Sequence, residues 1–135
     1  MILVLDTNII VSATIANGNE FKLLKKAENK DFILAISHPL LIEFKEVISR
    51  EKFGYNAQEI DRIVSDVIKI SKLFCPEESI DIMKEDPDDN KVLECAVTAK
   101  ADYIVSGDHH LRDLKEYHAI KIIASKDMLE IFKKI

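Results

Sequence analysis

Residues 1–8 read Met-Ile-Leu-Val-Leu-Asp-Thr-Asn, and this segment is the strongest indication of the fold class. Ile2 to Leu5 is a continuous apolar run, which predicts a strand buried on both faces of a parallel sheet. Asp6, Thr7 and Asn8 follow directly and predict a polar loop that leads into a helix. Open α/β sheets bind their ligands at the carboxyl ends of their strands, so Asp6 lies where a functional site is expected.

The rest of the chain alternates between apolar segments of strand length and segments of helical periodicity. Further strands are expected at about 32–36, 73–75, 103–105 and 120–124. Helices are expected at about 21–30, 37–52, 56–70, 88–100 and from 126, with a short helix around Leu111, Leu114 and Tyr117. The alternation predicts an α/β fold, a three-layer α/β/α sandwich around a mostly parallel sheet, with residues 1–135 forming a single domain.

Composition excludes several classes of protein. The 135 residues are 47% apolar and 32% charged, with three Gly and three Pro, so collagen-like, low-complexity and disordered chains are excluded. No apolar stretch approaches the ~20 residues of a membrane span, and the first residues lack a secretory pattern, so we expect a cytoplasmic protein with no membrane partner. Cys75 and Cys95 lack zinc-site spacing and are expected to be buried free thiols.

The negative charge is concentrated in one segment. The chain carries a net charge of −5, and residues 77–94 contain eight acids and two lysines, a balance of −6 that leaves +1 for the remainder. An acidic average does not favour a general basic surface for nucleic acid, although a basic rim around an acidic pocket is compatible with one. Pro87 disfavours a helical conformation at Asp86, so the next helix is expected to begin at Asp88 or Asp89.

Four carboxylates are expected to converge at one edge of the sheet. Asp6 and Asp108 follow predicted strands, while Asp89 and Glu43 lie near the N-termini of predicted helices. Without a counter-charge, such a group would suffer mutual repulsion and raised pKa values. One or two divalent cations would convert the repulsion into coordination, and oxygen ligands favour Mg²⁺ or Mn²⁺ over zinc. The chemistry that this arrangement supports is hydrolysis of a phosphate ester.

Each of these residues also has a purely structural interpretation. Asp6 and Asp89 could cap helices, and Asp108 could be a turn residue. Glu43 could face solvent on an amphipathic helix. The two histidines at 109–110 either contact a phosphate or a metal, or lie exposed on a short helix.

Motifs of other enzyme classes are missing. A calcium loop beginning at Asp86 would have Lys91 in place of the required Gly and Val97 in place of the required Glu. The sequence contains no G-x-G-x-x-G, Walker or G-x-S-x-G motif. A phosphatase with Asp6 as nucleophile would need an acid two residues later, where Asn8 stands. The sequence therefore does not favour a nucleotide-cofactor enzyme, a serine hydrolase or a phosphatase.

Four ordered blocks of sequence carry a family likeness. They are V-L-D-T-N at Val4–Asn8, L-L-I-E at Leu40–Glu43, D-P-D-D-N-K-V-L-E-C-A at Asp86–Ala96 and A-D-Y-I-V-S-G-D-H-H-L at Ala101–Leu111. Together they resemble the PIN domain nucleases, and among these the toxin components of toxin-antitoxin systems. The likeness covers nearly the whole chain in the expected order and spacing.

The resemblance implies metal-dependent cleavage of RNA with Mg²⁺ or Mn²⁺ as cofactor. The positions that match the family's acidic catalytic residues and their polar neighbours are Asp6, Glu43, Asp89 and Asp108, with Asn8 and Ser106 beside them. Of the acids, Asp6, Asp89 and Asp108 would bind the metal, and Glu43 would bridge or position water. Relatives often carry a further acid where this chain has His110.

The partners expected from the resemblance are RNA and an antitoxin protein. Single-stranded RNA is favoured, because its backbone can enter a carboxylate pocket without melting of a duplex. The helix at 56–70 has Ile or Val at 60, 63, 64, 67, 68 and 70, which predicts a wide apolar face and a homodimer, as the resemblance also implies. The alternative function is that of a catalytically weak PIN scaffold that binds RNA or a partner protein.

Overall fold

Six strands form a single central sheet in the computed structural model, which describes residues 1–135. The strands are β1 (Ile2–Leu5), β2 (Ile33–Ser37), β3 (Ser71–Phe74), β4 (Tyr103–Val105), β5 (Glu116–Tyr117) and β6 (Ile120–Ile123). Their order is β3-β2-β1-β4-β6-β5, and every neighbouring pair is parallel except β5 and β6. The mostly parallel sheet that the sequence predicts is therefore confirmed, with β1 at its centre.

Seven helices connect the strands and cover the sheet. They are α1 (Thr7–Ile15), α2 (Asn19–Glu28), α3 (His38–Ile48), α4 (Ala57–Ile70), α5 (Asp89–Ala99), α6 (His109–Asp113) and α7 (Ser125–Lys133). Helix α2 packs against α1 and α7, while α5 lies across β1 to β4. Because parallel crossovers are right-handed, the connections β1 to β2 and β3 to β4 place their helices on opposite faces of the sheet. This is the expected three-layer α/β/α arrangement. No helix is both long enough and apolar enough to cross a membrane.

The central strand is apolar at every position because both of its faces are covered. Leu3, Val4 and Leu5 are all buried in a core cluster of 31 residues that includes side chains from both helical layers. Successive side chains of a strand point to opposite faces, so a strand covered on both sides reads as a continuous apolar run. The position of β1 in the sheet thus follows directly from its sequence.

Helix α3 begins where the sequence predicts and ends earlier. The Ser37 hydroxyl accepts a hydrogen bond from a backbone N–H of the first turn at 3.4 Å, and Pro39 occupies the first turn. The helix ends at Ile48 rather than near residue 52, because the chain then forms a separate 3₁₀ turn at Glu51–Phe53. Gly54 closes that turn with a φ of +70°, which glycine adopts without strain.

The segment after α6 is a hairpin and not the continued helix that the sequence predicts. Helix α6 stops at Asp113, and Tyr117, expected on its face, lies instead in β5, antiparallel to β6. His118 and Ala119 connect these strands with φ of 50° and 65°, as a type I′ turn requires. The pair is not one of the Asn-Gly, Asp-Gly or Gly-Gly pairs that mark such turns, so the sequence carries no recognisable turn signal here.

The apolar face of α4 is mostly covered by the chain itself. Val67 is 3% exposed, and the partly buried residues that pack against the core are Ile60, Ile63, Val64 and Ile70. Ile68 is 51% exposed and is the one apolar residue of the expected face left open. The apolar face that the sequence predicts is therefore present, and α4 uses most of it to pack on α3 and β3. The homodimer stays a prediction that this helix does not support.

The two cysteines lie in different environments. Cys95 is buried on α5, and burial raises the pKa of its thiol to about 12. Cys75 follows β3 and is exposed, so the expectation that both thiols are buried is wrong for Cys75. The physical reason is that the chain leaves the edge of the sheet at Phe74.

Candidate active site

The carboxyl ends of β1 and β4 bring Asp6 and Asp108 to the same edge of the sheet. The two strands are paired, and the Asp6 backbone N–H donates to the Val105 carbonyl at 2.9 Å. The buried Ser106 hydroxyl donates to Asp6 Oδ2 at 2.8 Å and accepts from the Asp108 backbone N–H at 3.0 Å. Ser106 therefore links the two acidic positions through its hydroxyl group.

Asp6 is a buried carboxylate directly before α1, and it is only 5% exposed. Burial raises the pKa of its carboxyl group, and the charge of Asp108 adds to the rise. Hydrogen bonds from Ser106 and from the backbone of Asn8 and Thr7 oppose the rise. The carboxylate is thus held in a position that disfavours its charge unless a cation lies nearby.

Asp89 is the first residue of α5 and points into the same region. It is 5% exposed, and its Oδ2 atom is buried without a hydrogen-bond partner. One carboxylate oxygen from each of Asp86, Asp89 and Asp108 lies within 4.8 Å of the other two. Burial and, after it, the neighbouring carboxylates, Asp108 first, together raise the pKa of Asp89 from 3.8 to about 7. The Asp89 Oδ2 atom therefore has neither a hydrogen-bond donor nor a cationic side chain to stabilise a negative charge.

Asp86 is a member of this group, although it is not one of the four acids that the sequence predicts to converge. It lies in the connection before α5, which Asn90 ties down. The Asn90 Oδ1 atom accepts from the backbone N–H groups of Ile82 and Met83 at 3.2 and 2.9 Å, and its Nδ2 donates to the Met83 carbonyl at 3.3 Å. The repeated acids of the Asp86–Asp89 segment are the signal that could have identified it.

Glu43 reaches the site from α3. It is half-buried, and its Oε2 accepts a hydrogen bond from the Thr7 hydroxyl at 2.7 Å. Burial raises the pKa of Glu43, the Thr7 hydrogen bond opposes the rise, and the charges of Asp88 and Asp6 add to it. Thr7 was not among the predicted site residues, although its place directly after Asp6 in a buried turn could have identified it.

Asn8, Asp108 and the two histidines at 109–110 lie around the buried carboxylates. Asn8 is exposed in the first turn of α1, and its side chain makes no hydrogen bond within the chain. Asp108 also caps α6, since its Oδ1 accepts from the His110 backbone N–H at 2.7 Å. His110 Nδ1 lies 3.6 Å from that oxygen and its Nε2 contacts Glu85, whereas His109 is exposed. Asp108 therefore both caps α6 and contributes a carboxylate to the group with Asp86 and Asp89.

These carboxylates form what we term the acidic cluster. Its members are Asp6, Glu43, Asp86, Asp89 and Asp108. No Lys or Arg forms an ion pair with any of them. The basic groups nearby are His110 beside Asp108, and Lys91, which pairs with Asp88 and lowers the pKa of Glu43. Crowded hard oxygen donors with one orphaned oxygen fit a divalent cation such as Mg²⁺ or Mn²⁺.

Comparison with known proteins places the chain in a family. The PIN domain family profile matches residues 2–110, most of the chain, so the chain belongs to the PIN domain family. Members of this family are generally nucleases. No curated protein sequence matches the chain significantly.

The fold also resembles a solved structure. A chain in the crystal structure of VapBC2 from Rickettsia felis, bound to a DNA fragment from its promoter, superposes with a TM-score of 0.63. The likeness covers 90% of this chain and 97% of that chain at 17% sequence identity. At this identity, the similarity establishes a shared fold.

Proposed function

We propose that the protein is a Mg²⁺- or Mn²⁺-dependent ribonuclease that hydrolyses single-stranded RNA. The observation that carries the proposal is Asp89, whose buried, unpartnered oxygen lies among the carboxylates of Asp86 and Asp108 with no Lys or Arg to neutralise them. Such a cluster is costly to a fold unless a cation binds it. Membership of the PIN domain family supports nucleic-acid hydrolysis as the reaction.

The residues have distinct roles in this proposal. Asp6, Asp89 and Asp108 would hold the cation, with Asp86 as a further ligand. The cation, when bound, would act as a Lewis acid toward the phosphodiester and its leaving oxygen. Ser106 holds Asp6 and the Asp108 backbone in register through its two hydrogen bonds.

Glu43 and Asn8 act on the substrate side of the same site. The raised pKa of Glu43 suits a group that accepts a proton from the attacking water at neutral pH. Thr7 fixes its orientation by the hydrogen bond to Oε2. Asn8, exposed beside Asp6, is placed to donate a hydrogen bond to a phosphate oxygen of the RNA.

We further propose that the protein is the toxin of a toxin-antitoxin pair. The likeness of its fold to a chain of VapBC2 over 90% of its length supports this role. Its partners are then an antitoxin protein and cellular RNA in the cytoplasm, and residues 1–135 act as one nuclease domain. A homodimer is part of the proposal on the family resemblance alone.

The test is cleavage of a labelled single-stranded RNA and of the matching duplex by the purified protein. Chelator should abolish cleavage, Mg²⁺ or Mn²⁺ should restore it, and the single strand should be cut faster, because a duplex must first open. Cleavage that persists in excess chelator would contradict the metal dependence. Saturable Mn²⁺ binding with no cleavage of any RNA would identify the catalytically weak scaffold instead.

A further inference from the structure

A basic groove runs between α2 and α7, apart from the acidic cluster. Its volume is about 510 Å³. Its walls carry five lysines and two acids, namely Lys22, Lys25, Lys26, Lys126 and Lys133 with Asp31 and Glu130. A local excess of three positive charges is unusual in a chain whose net charge is −5. We refer to it as the α2–α7 groove.

The positive charge is free at one end of the groove. Three of its lysines have ion-pair partners, at 3.1 Å for Lys25 and Glu28, 4.0 Å for Lys26 and Asp31, and 3.0 Å for Lys133 and Glu130. Lys22 and Lys126 are exposed and form no ion pair. The unneutralised cations are therefore these two residues.

Aromatic side chains hold the paired lysines along the groove. Lys25 Nζ lies 5.3 Å from the centroid of the Phe21 ring, and Lys26 Nζ lies 5.1 Å from that of Phe132. Such cation–π contacts keep an ammonium group over a ring without removing its charge. The contact of Lys26 with Phe132 also shows that the C-terminal halves of α2 and α7 are adjacent.

The N-terminal end of α7 lies at the same edge of the sheet as the acidic cluster. Lys126 is the second residue of α7 and Lys22 lies in the first turn of α2, so both stand at the N-terminal end of the helix pair. That end follows the carboxyl end of β6, where the Ser106 backbone N–H donates to the Ile123 carbonyl at 3.0 Å. Ser106 in turn contacts Asp6. The groove and the cluster therefore share one edge of the sheet.

We propose that the α2–α7 groove binds the backbone phosphates of the RNA strand beside the bond that is cleaved. The inference rests on the proposed function and names where that substrate gains its affinity. The acidic cluster repels a polyanion, so attraction must come from cations outside it, and phosphate binding by lysine releases condensed counterions. Lys126 provides such a cation at the shared edge, and Lys22 lies with it in the groove.

The first experiment measures binding without cleavage. A fluorescein-labelled single-stranded RNA of about 20 nucleotides is titrated in chelator with the parent protein and with the double variant Lys22→Gln and Lys126→Gln, and anisotropy is followed between about 0.05 and 0.2 M salt. Loss of two phosphate contacts should reduce the slope of log K against log salt by about 1.4 and weaken binding about tenfold near 0.1 M. The matched control, Lys69→Gln with Lys72→Gln, removes two exposed lysines without ion pairs near the start of β3 and should bind as the parent does.

The second experiment separates this inference from the proposed function. With Mg²⁺ or Mn²⁺, the double variant should show a raised KM for the long RNA, an unchanged kcat, and parental cleavage of a dinucleotide too short to reach the groove. If the parent cleaves RNA and the double variant keeps the parental affinity and salt slope, RNA binding by the groove is refuted while the ribonuclease function is supported. If the lysines control RNA binding but the parent cleaves no RNA, the ribonuclease function is refuted while RNA binding by the groove is supported. Weakened binding of an oligo-glutamate peptide with RNA binding unchanged would make the groove a peptide site and overturn the proposal.

Discussion

Replacing Asp89 by Asn should stabilise the protein in metal-free solution at about pH 8. The pKa of Asp89 is raised from 3.8 to about 7, so the folded state holds this proton more tightly than the unfolded state does. Stability from this group is therefore fully present below about pH 4 and is lost as the pH rises through about 7. At about 1.4 kcal/mol per pH unit, this shift of the pKa corresponds to a loss of at most roughly 4 kcal/mol in the free energy of unfolding.

The neutral Asn removes this penalty and keeps the shape of the side chain. It also loses the attraction between a carboxylate and the N-terminus of α5, which is worth about 0.5 kcal/mol. Relaxation of the site reduces the gain further, so we expect about 1 to 3 kcal/mol, or a Tm increase of about 4 to 12 °C for a chain of this size. The gain should disappear at about pH 4, where Asp89 is protonated in the folded parent.

The assay is thermal unfolding at both pH values, first with chelator and then with Mg²⁺ or Mn²⁺. Metal at a hundred times its Kd should stabilise the parent by about 2.7 kcal/mol and the variant by less. The control is Asp127→Asn, an exposed acid in the first turn of α7, which should lower the Tm slightly or leave it unchanged. If Asp89→Asn behaves like this control, and metal shifts parent and variant equally, Asp89 does not belong to a metal site.

Three further variants test how the site is supported. Ser106→Ala removes the donor to the carboxylate at the end of β1, and steady-state kinetics should show a rate about 10 to 100 times lower; a parental rate would show that Ser106 has no positioning role. Thr7→Val removes a hydrogen bond that lowers the pKa of Glu43, so the rising limb of the pH–rate profile should move to higher pH, and an unmoved limb would separate Glu43 from the proton transfer. Asn90→Ala leaves the backbone N–H groups of residues 82–83 without their acceptor and should cost about 1 to 3 kcal/mol with faster proteolysis of that segment; unchanged cleavage by protease would contradict the tether.

The parts of the fold that the sequence predicts are those with strong local patterns. The apolar residues of β1 and of the periodic face of α5 are buried in the structure, as the sequence predicts. Strand β1 is packed on both faces, and such positions admit only apolar residues. The hairpin of β5 and β6 could not be predicted, since His118 and Ala119 adopt positive φ without the usual residues. There, tertiary packing overrides local preference.

The candidate site shows the same division. Asp6 and Asp108 follow strands, so topology alone brings them together once the strand order is known. Asp86 and Thr7 each carry a local signal in the sequence, but the side chains that they contact are set by the fold. Asp86 lies in an irregular segment held by Asn90, and Thr7 reaches across to α3. The partners of a side chain in a loop are decided by the fold and not by the neighbouring sequence.

Whether the acidic cluster is a nuclease centre can be measured as the initial rate of cleavage of labelled single-stranded RNA. The rate is compared between the parent protein and Asp6→Asn, in Mg²⁺ or Mn²⁺ and in chelator. Asn keeps the size of the side chain and its hydrogen bond with Ser106 but removes the charge that would bind a cation. A metal-dependent nuclease centred on this cluster predicts a loss of more than about 100-fold with Asp6→Asn, in a protein that remains folded by circular dichroism. Equal rates for the parent and Asp6→Asn would contradict the claim and place any ribonuclease activity elsewhere.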